Sequence, residues 1–277
     1  MHLVYAILST ISIGSGEFFA GAATERTRAH EVTSTMFLSG VAFMAVVAIV
    51  WPGDPTTADM LYGALAGVAN GVGILLLYWS YANASVRSAA PAAAIVMSSV
   101  PVLWDIVVSG RTPSMIIGIG LLLGVIAIGL SSYERDEQPT DPRGLYAAIL
   151  AGAVFGVLLI IFSYIGDDAG GPPLFVQRVV GFVVAIAVTR MTGPRIFPKD
   201  RGDFAIGLLV GILATLAVLL FALALRGGSL SIVSVVSSQY ASVAVLLGVA
   251  FRGQRMWWWQ ALGLAGASVS VALIAIG

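Results

Sequence analysis

Ten mostly apolar stretches follow one another along this chain, separated by short clusters of charge, proline and glycine. Each is close to the roughly 20 residues that an α-helix needs to cross about 30 Å of hydrocarbon. They cover 2–23, 32–51, 58–80, 88–109, 113–132, 144–165, 173–191, 203–225, 230–251 and 257–276. Hydrocarbon offers no partner for a backbone N–H or C=O group, so a spanning segment is helical unless the chain closes as a barrel. Barrel strands alternate in polarity over about 10 residues, and these runs are too long and too uniformly apolar for that. The expected fold is all-α, a polytopic integral membrane protein with ten transmembrane helices.

Composition agrees. Of 277 residues, 58% are hydrophobic and 10% charged, where a soluble domain carries about 25% charged residues. The first run starts at His2 with no basic segment before it, and reads as a retained helix rather than a cleaved signal. Basic and acidic residues balance at 14 each, which gives no pull toward nucleic acid. The absence of cysteine excludes disulfides and thiolate catalysis. His2 and His30 are the only histidines and lie near segment ends, so neither a His-based metal centre nor a bound cofactor is expected.

The most polar connection, 133–143, falls mid-chain and divides the runs five and five. The expected organisation is a first five-helix repeat over 1–132, the polar loop 133–143, and a second repeat over 144–277. An odd number of spans per half inserts the second half upside down, the inverted-repeat plan of many transporters. At an offset of 144, Gly63, Leu65 and Gly67 fall on Gly207, Leu209 and Gly211, while Ser98 falls on Ser242. The connections after odd-numbered runs hold eleven cations, from Arg26 to Arg255, and the alternate set only Arg111 and Arg226. Cations favour the cytoplasmic side, which puts both termini on the other side.

Glycines at four-residue spacing, Gly63, Gly67 and Gly71 in the third run and Gly207 and Gly211 in the eighth, let helix backbones approach closely. Ionisable residues inside spans point elsewhere, because a charge near mid-bilayer costs about 2.5–3.5 kcal/mol. Glu17 shares a face of the first run with Thr10, Gly14 and Gly21, and Arg178, preceded by Gln177, lies inside the seventh. A buried Glu17–Arg178 ion pair is one reading; the other has Glu17 binding protons or an amine and Arg178 an anionic group. Asp105 shares a face of the fourth run with Pro91 and Ser98, and snorkelling to Arg111 or to interfacial water is its bland reading. Asn70 adds an amide near mid-depth. The ninth run carries Ser231, Ser234, Ser238 and Ser242 on one face beside Gln239 and Tyr240, as an interhelical seam or a cavity lining. Metalloprotease, nucleophile-elbow and phosphate-loop motifs are absent from the sequence.

The fourth run contains Ala89-Ala90-Pro91-Ala92-Ala93-Ala94 leading to Val100-Pro101-Val102, the third ends in Leu75-Leu76-Leu77-Tyr78-Trp79-Ser80-Tyr81-Ala82, and the last opens with Gln260-Ala261-Leu262-Gly263. In these segments and their order the whole chain resembles the EamA-like family of the drug/metabolite transporter superfamily, a duplicated five-helix unit. It departs from the pattern where members often carry an acid after the fourth and ninth helices, having Gly110-Arg111 and Gln254-Arg255 instead. The resemblance implies efflux or exchange of small metabolites or drugs, with no catalytic residue, in a bacterial plasma membrane. Its usual cytoplasmic termini oppose the charge reading, so orientation stays open.

The expectation is a secondary carrier with a cavity between halves, lined by the first, third, fourth, seventh, eighth and ninth runs. Candidate substrate- or proton-binding residues are Glu17, Asn70, Ser98, Asp105, Gln177, Arg178, Ser238, Gln239 and Tyr240. A small-molecule substrate, with protons as candidate coupling ion, and lipid are the expected partners. The alternative is a non-transporting membrane-embedded enzyme or scaffold built on the same bundle.

Overall fold

The computed structural model describes the backbone of all residues except 85, 110–113, 133–140, 194, 228, 229, 254, 255 and 277. The side chains of residues 87, 102, 105, 106, 109, 121, 125, 128, 129, 131, 132, 192, 231, 232, 235, 274 and 275 are also outside the description. Asp105 and Ser231, together with Arg111, Arg255 and most of the mid-chain loop, therefore lie outside the described residues.

Regular structure among the described residues is entirely helical. The helices are α1 (His2–Thr24), α2 (Ala29–Val50), α3 (Thr57–Asn83), α4 (Val86–Ser109), α5 (Met115–Ser132), α6 (Pro142–Phe162), α7 (Pro172–Thr192), α8 (Arg201–Leu225), α9 (Leu230–Ser238), α10 (Tyr240–Arg252) and α11 (Trp258–Ile276). Six of them, α1, α2, α3, α6, α7 and α8, are long and apolar enough to cross a membrane. Large apolar side chains cover much of the outside: Ile49, Val50, Leu122, Val183 and Leu246 are all exposed. An apolar exterior of this extent suits lipid rather than water, as expected of a membrane-embedded helical protein.

Local chemistry sets several helix ends. Thr56 and Asp59 form a capping box at the start of α3, each accepting the other's backbone N–H. Asp200 accepts the Gly202 and Asp203 N–H groups at the start of α8. Gly253, at φ +60°, takes the left-handed conformation that ends α10. The fourth run stays one helix through both Pro91 and Pro101. The ninth is divided at Gln239, where a tightened turn with right-handed helical angles separates α9 from α10.

The packing pairs helices across the two halves of the chain. Helix α1 packs on α8 and α3 on α6; α2 packs on α7 and on α8, α3 on α7, α4 on α6, α1 on α9 and α10, and α5 on α11. Small residues permit these approaches. A Cβ added at Gly67 would stand 2.7 Å from both the Gln177 carbonyl oxygen and Val180 Cβ of α7, and one at Gly207 would stand 2.8 Å from Thr35 Cβ of α2. Hydroxyls add polar rungs between helices, the kind of tie that substitutes for a hydrophobic drive inside lipid. Ser9 and Ser12 of α1 donate to the Ala217 and Leu213 carbonyls of α8 at 2.9 and 2.8 Å, and Ser39 of α2 donates to Leu208 at 2.9 Å.

Candidate functional site: a central cavity with an unpaired acid and base

A cavity of about 740 Å³, counting its mouth, lies where α1, α3, α4, α6, α7, α8, α9 and α10 meet. Each helix presents residues at helical spacing: Ile13 and Glu17 from α1, Asn70, Ile74 and Leu77 from α3, and Ala214, Ala217, Val218 and Phe221 from α8. Helix α6 supplies Phe155, Leu158, Leu159 and Phe162, while Met97, Arg178, Ser237 and Tyr240 come from α4, α7, α9 and α10. The wall is apolar apart from Glu17, Asn70, Arg178, Ser237 and Tyr240.

Glu17 and Arg178 are both buried, at 6% and 1% exposure, and line the same cavity. The ion pair considered from the sequence is not formed. Instead, Arg178 Nη2 donates to the Ala214 carbonyl of α8 at 2.8 Å, and its guanidinium carbon lies 5.8 Å from the centre of the Phe37 ring. Gly40 makes room for this: a Cβ there would come within 3.3 Å of Arg178 Cδ and 2.7 Å of Thr215 Oγ1. Arg178 Nε has no hydrogen-bond partner, and neither do Glu17 Oε2, Tyr81 Oη, Ser237 Oγ and Tyr240 Oη. The Tyr81 hydroxyl lies beside the Glu17 carboxyl and Tyr240 is near it. Buried polar atoms left unpaired are the exception in folded proteins. Here five of them gather on and beside one cavity, which an amphipathic solute with hydrogen-bonding ends would satisfy.

The stripe on α1 runs along the tightened turn in the ninth run. Thr10 Oγ1 lies 2.8 Å from both the Val236 carbonyl and the Ala6 carbonyl of its own helix, its one proton shared between them, and a Cβ at Gly14 would sit 2.7 Å from the Tyr240 carbonyl oxygen. The Val236 carbonyl also accepts from Gln239 N–H at 3.2 Å, so the turn tightens there with its backbone still bonded.

Of the sequence candidates, Glu17, Asn70, Arg178 and Tyr240 line the central cavity. Ser98 is buried, but its hydroxyl donates to Ile95 of its own helix at 3.0 Å and it does not line that space. Gln177 is fully buried with both amide atoms unpartnered, away from the cavity wall. Ser238 and Gln239 line a separate space of about 210 Å³ between α4, α10 and α11, where Gln239 Oε1 accepts from Ser268 at 2.6 Å. Sequence reasoning missed Ser237 and the whole contribution of α6. Ser237 carried a signal, one turn before Tyr240; Phe155, Leu158, Leu159 and Phe162 share one face at i, i+3, i+4, i+7 spacing, but the apolar residues on the other faces of α6 hide it.

No family model matches this chain, and no curated protein matches it. Among solved structures 28 chains match. One, described only as "Crystal structure of protein", superposes with a TM-score of 0.69 at 15% identity, over 97% of this chain and 94% of its own. Identity that low carries the fold and nothing more.

Proposed function

We propose that this chain is a secondary carrier of small metabolites or drugs, an exporter or exchanger that works by alternating access at the central cavity. In this reading ten spans form two inverted five-helix repeats in a bacterial inner membrane, as the EamA-like resemblance implies. The packing supports the repeat. Exchanging α1 with α6, α2 with α7, α3 with α8, α4 with the α9–α10 pair and α5 with α11 turns α1 on α8 into α6 on α3, and α3 on α7 into α8 on α2. It also turns α1 on α9 and α10 into α6 on α4, and leaves α2 on α7 and α5 on α11 unchanged.

The observation that carries the carrier reading is the unpaired acid and base in one cavity. An ionisable group kept inside a membrane without its counter-ion marks a solute or proton path more often than a structural need. Counterflow in proteoliposomes tests it with a panel of amino acids, organic cations and neutral metabolites, chosen by thermal shift of the purified protein. A carrier exchanges one of these unchanged; chemical conversion of the solute, or no exchange of any, refutes the proposal. If Glu17 couples protons, Glu17→Gln abolishes pH-driven uptake and leaves thermal stability intact, whereas unaltered pH dependence removes that role.

A further inference from the structure

Three cavities share helices along the bundle. The central one shares Phe162 with a smaller space of about 400 Å³ lined by Trp51, Asp167 and Arg226 among others. A vestibule of about 800 Å³, counting its mouth, lies between α1, α3, α4 and α10. Three helices line both spaces with one continuous face. On α1 Glu17 is followed at four-residue steps by Gly21 and Glu25 just beyond its end; on α10 Tyr240 is followed by Ala244, Gly248 and Arg252. On α3 Asn70, Ile74 and Leu77 are followed by Tyr81. Residues three or four apart share a helix face, so the wall of the central cavity runs on into the vestibule. Gly21 lets Val86 of α4 close against α1, since a Cβ there would clash with Val86 Cγ2, and Ala244 and Gly248 are the small residues on the α10 side.

The two ends are closed by unlike means. At the Trp51 end the loop after α2 is bound to the loop after α6: Asp54 N–H donates to Asp168 O at 2.8 Å and Gly171 N–H to Trp51 O at 2.8 Å. Gly166 N–H donates to Asp59 Oδ1 at 2.7 Å. The Arg226 guanidinium sits 4.4 Å above the Trp51 ring, and Phe162 leans on Phe221 with ring centres 6.3 Å apart. At the vestibule end the mouth is crossed by one ion pair, Arg252 Nη1 and Nη2 on Glu25 Oε1 and Oε2 at 2.7 and 2.5 Å. That pair is bidentate but part-exposed, so solvent and salt screen it and it is a tie that can open. The floor is Tyr81, which lines the vestibule while its hydroxyl reaches the Glu17 carboxyl of the central cavity. The Glu17 carboxyl is the polar group that hydroxyl faces, so swinging the ring aside gives up that one contact. The 144-residue offset between halves sets Tyr81 on Leu225, which lines the small cavity at the far end.

We infer that the α1–α10 vestibule is the route to the central cavity, that Tyr81 is the gate between them, and that Glu25 with Arg252 is the latch across the mouth. The inference rests on the carrier reading for its purpose, but its geometry is testable alone. The chain has no cysteine, so Ser237→Cys supplies a single thiol in the central cavity. The probe is a membrane-impermeant quaternary-ammonium methanethiosulfonate, with the modification rate read in proteoliposomes and in detergent.

A closed gate opens in a minor state populated at about 0.1–10%, so adding Tyr81→Ala should raise the rate by about tenfold or more. Tyr81→Phe, which keeps the ring, should hold it near the Ser237→Cys parent. Arg252→Gln should raise it modestly, and Ala244→Trp, which fills the vestibule, should lower it even if Tyr81→Ala fails to fold. A rate indifferent to both Tyr81→Ala and Ala244→Trp, or one raised only by Trp51→Ala, overturns the route. Solute exchange by the unmodified protein is read separately. Exchange with Tyr81-independent labelling sinks the gate alone, whereas Tyr81-dependent labelling with no exchange of any solute upholds the gate and sinks the carrier.

Discussion

Replacing Arg178 with Met should leave the fold nearly as stable as before while removing solute exchange. Arg178 is 1% exposed and has no counter-ion within bonding distance among the described residues. Holding its charge in the membrane interior costs about 2.5–3.5 kcal/mol. Against that stand one charge-assisted hydrogen bond to Ala214 O, about 1.5–3 kcal/mol, and a distant contact with the Phe37 ring, about 0.5 kcal/mol. The two sides cancel to within about 1.5 kcal/mol. Methionine fills a similar length beside Gly40 and brings neither cost nor gain. Ala214 lies inside α8, so its carbonyl keeps a helical partner. The apparent Tm of Arg178→Met should therefore stay within about 5 °C of the parent by scanning fluorimetry. If Arg178 holds the solute, the lost charged contact should lower exchange by about tenfold or more in counterflow. A Tm fall of more than about 10 °C would make the residue a structural support, and undiminished exchange would remove it from the site.

Asp59→Ala removes the acceptor for Gly166 N–H, Thr56 N–H and the Thr56 hydroxyl, and should cost about 1–2 kcal/mol in equilibrium unfolding; an unchanged midpoint would show the loops held by other bonds. Gly67→Val drives a branched side chain into the Gln177 carbonyl and Val180, and should destabilise by about 1–3 kcal/mol, read in the same unfolding series. The Arg252 guanidinium holds the Glu25 carboxyl below its ordinary value of 4.5. Any stability from this pair is thus present above pH 4.5 and disappears as pH falls through the depressed value. Because the Glu25 side chain is half exposed, the effect should stay under about 1 kcal/mol. A pH series of Tm on the parent and Glu25→Gln checks it, the two curves converging in acid; a gap that widens there contradicts the sign.

Helix positions were legible because apolar length alone encodes them: the expected run 144–165 is α6 (Pro142–Phe162), and 203–225 is α8 (Arg201–Leu225). The glycine faces were legible too, since nothing but close approach explains Gly63, Gly67 and Gly71 at one spacing, and these meet Pro173, Val180 and Val184 of α7. Which face of each helix turns inward was not. In water a polar face marks the outside; in lipid both faces are apolar, and Leu158 facing a cavity reads like Val157 facing outward. Polar residues were therefore the only markers, and they misled where a hydroxyl closes onto its own helix, as Ser98 does on Ile95. The tightened turn at Gln239 was hidden for a related reason. It has no proline or glycine, and its Val236 carbonyl takes Gln239 N–H three residues on together with Thr10, more than 200 positions away in the chain.

That turn has a geometric consequence. Gln239 keeps right-handed helical angles while its N–H bonds the Val236 carbonyl three residues back, so the rod tightens without parting, level with Tyr240 in the cavity wall. The same carbonyl meets the Thr10 hydroxyl, on the strip of α1 that bears Glu17. One short side chain thus makes the acid and the tightened turn neighbours.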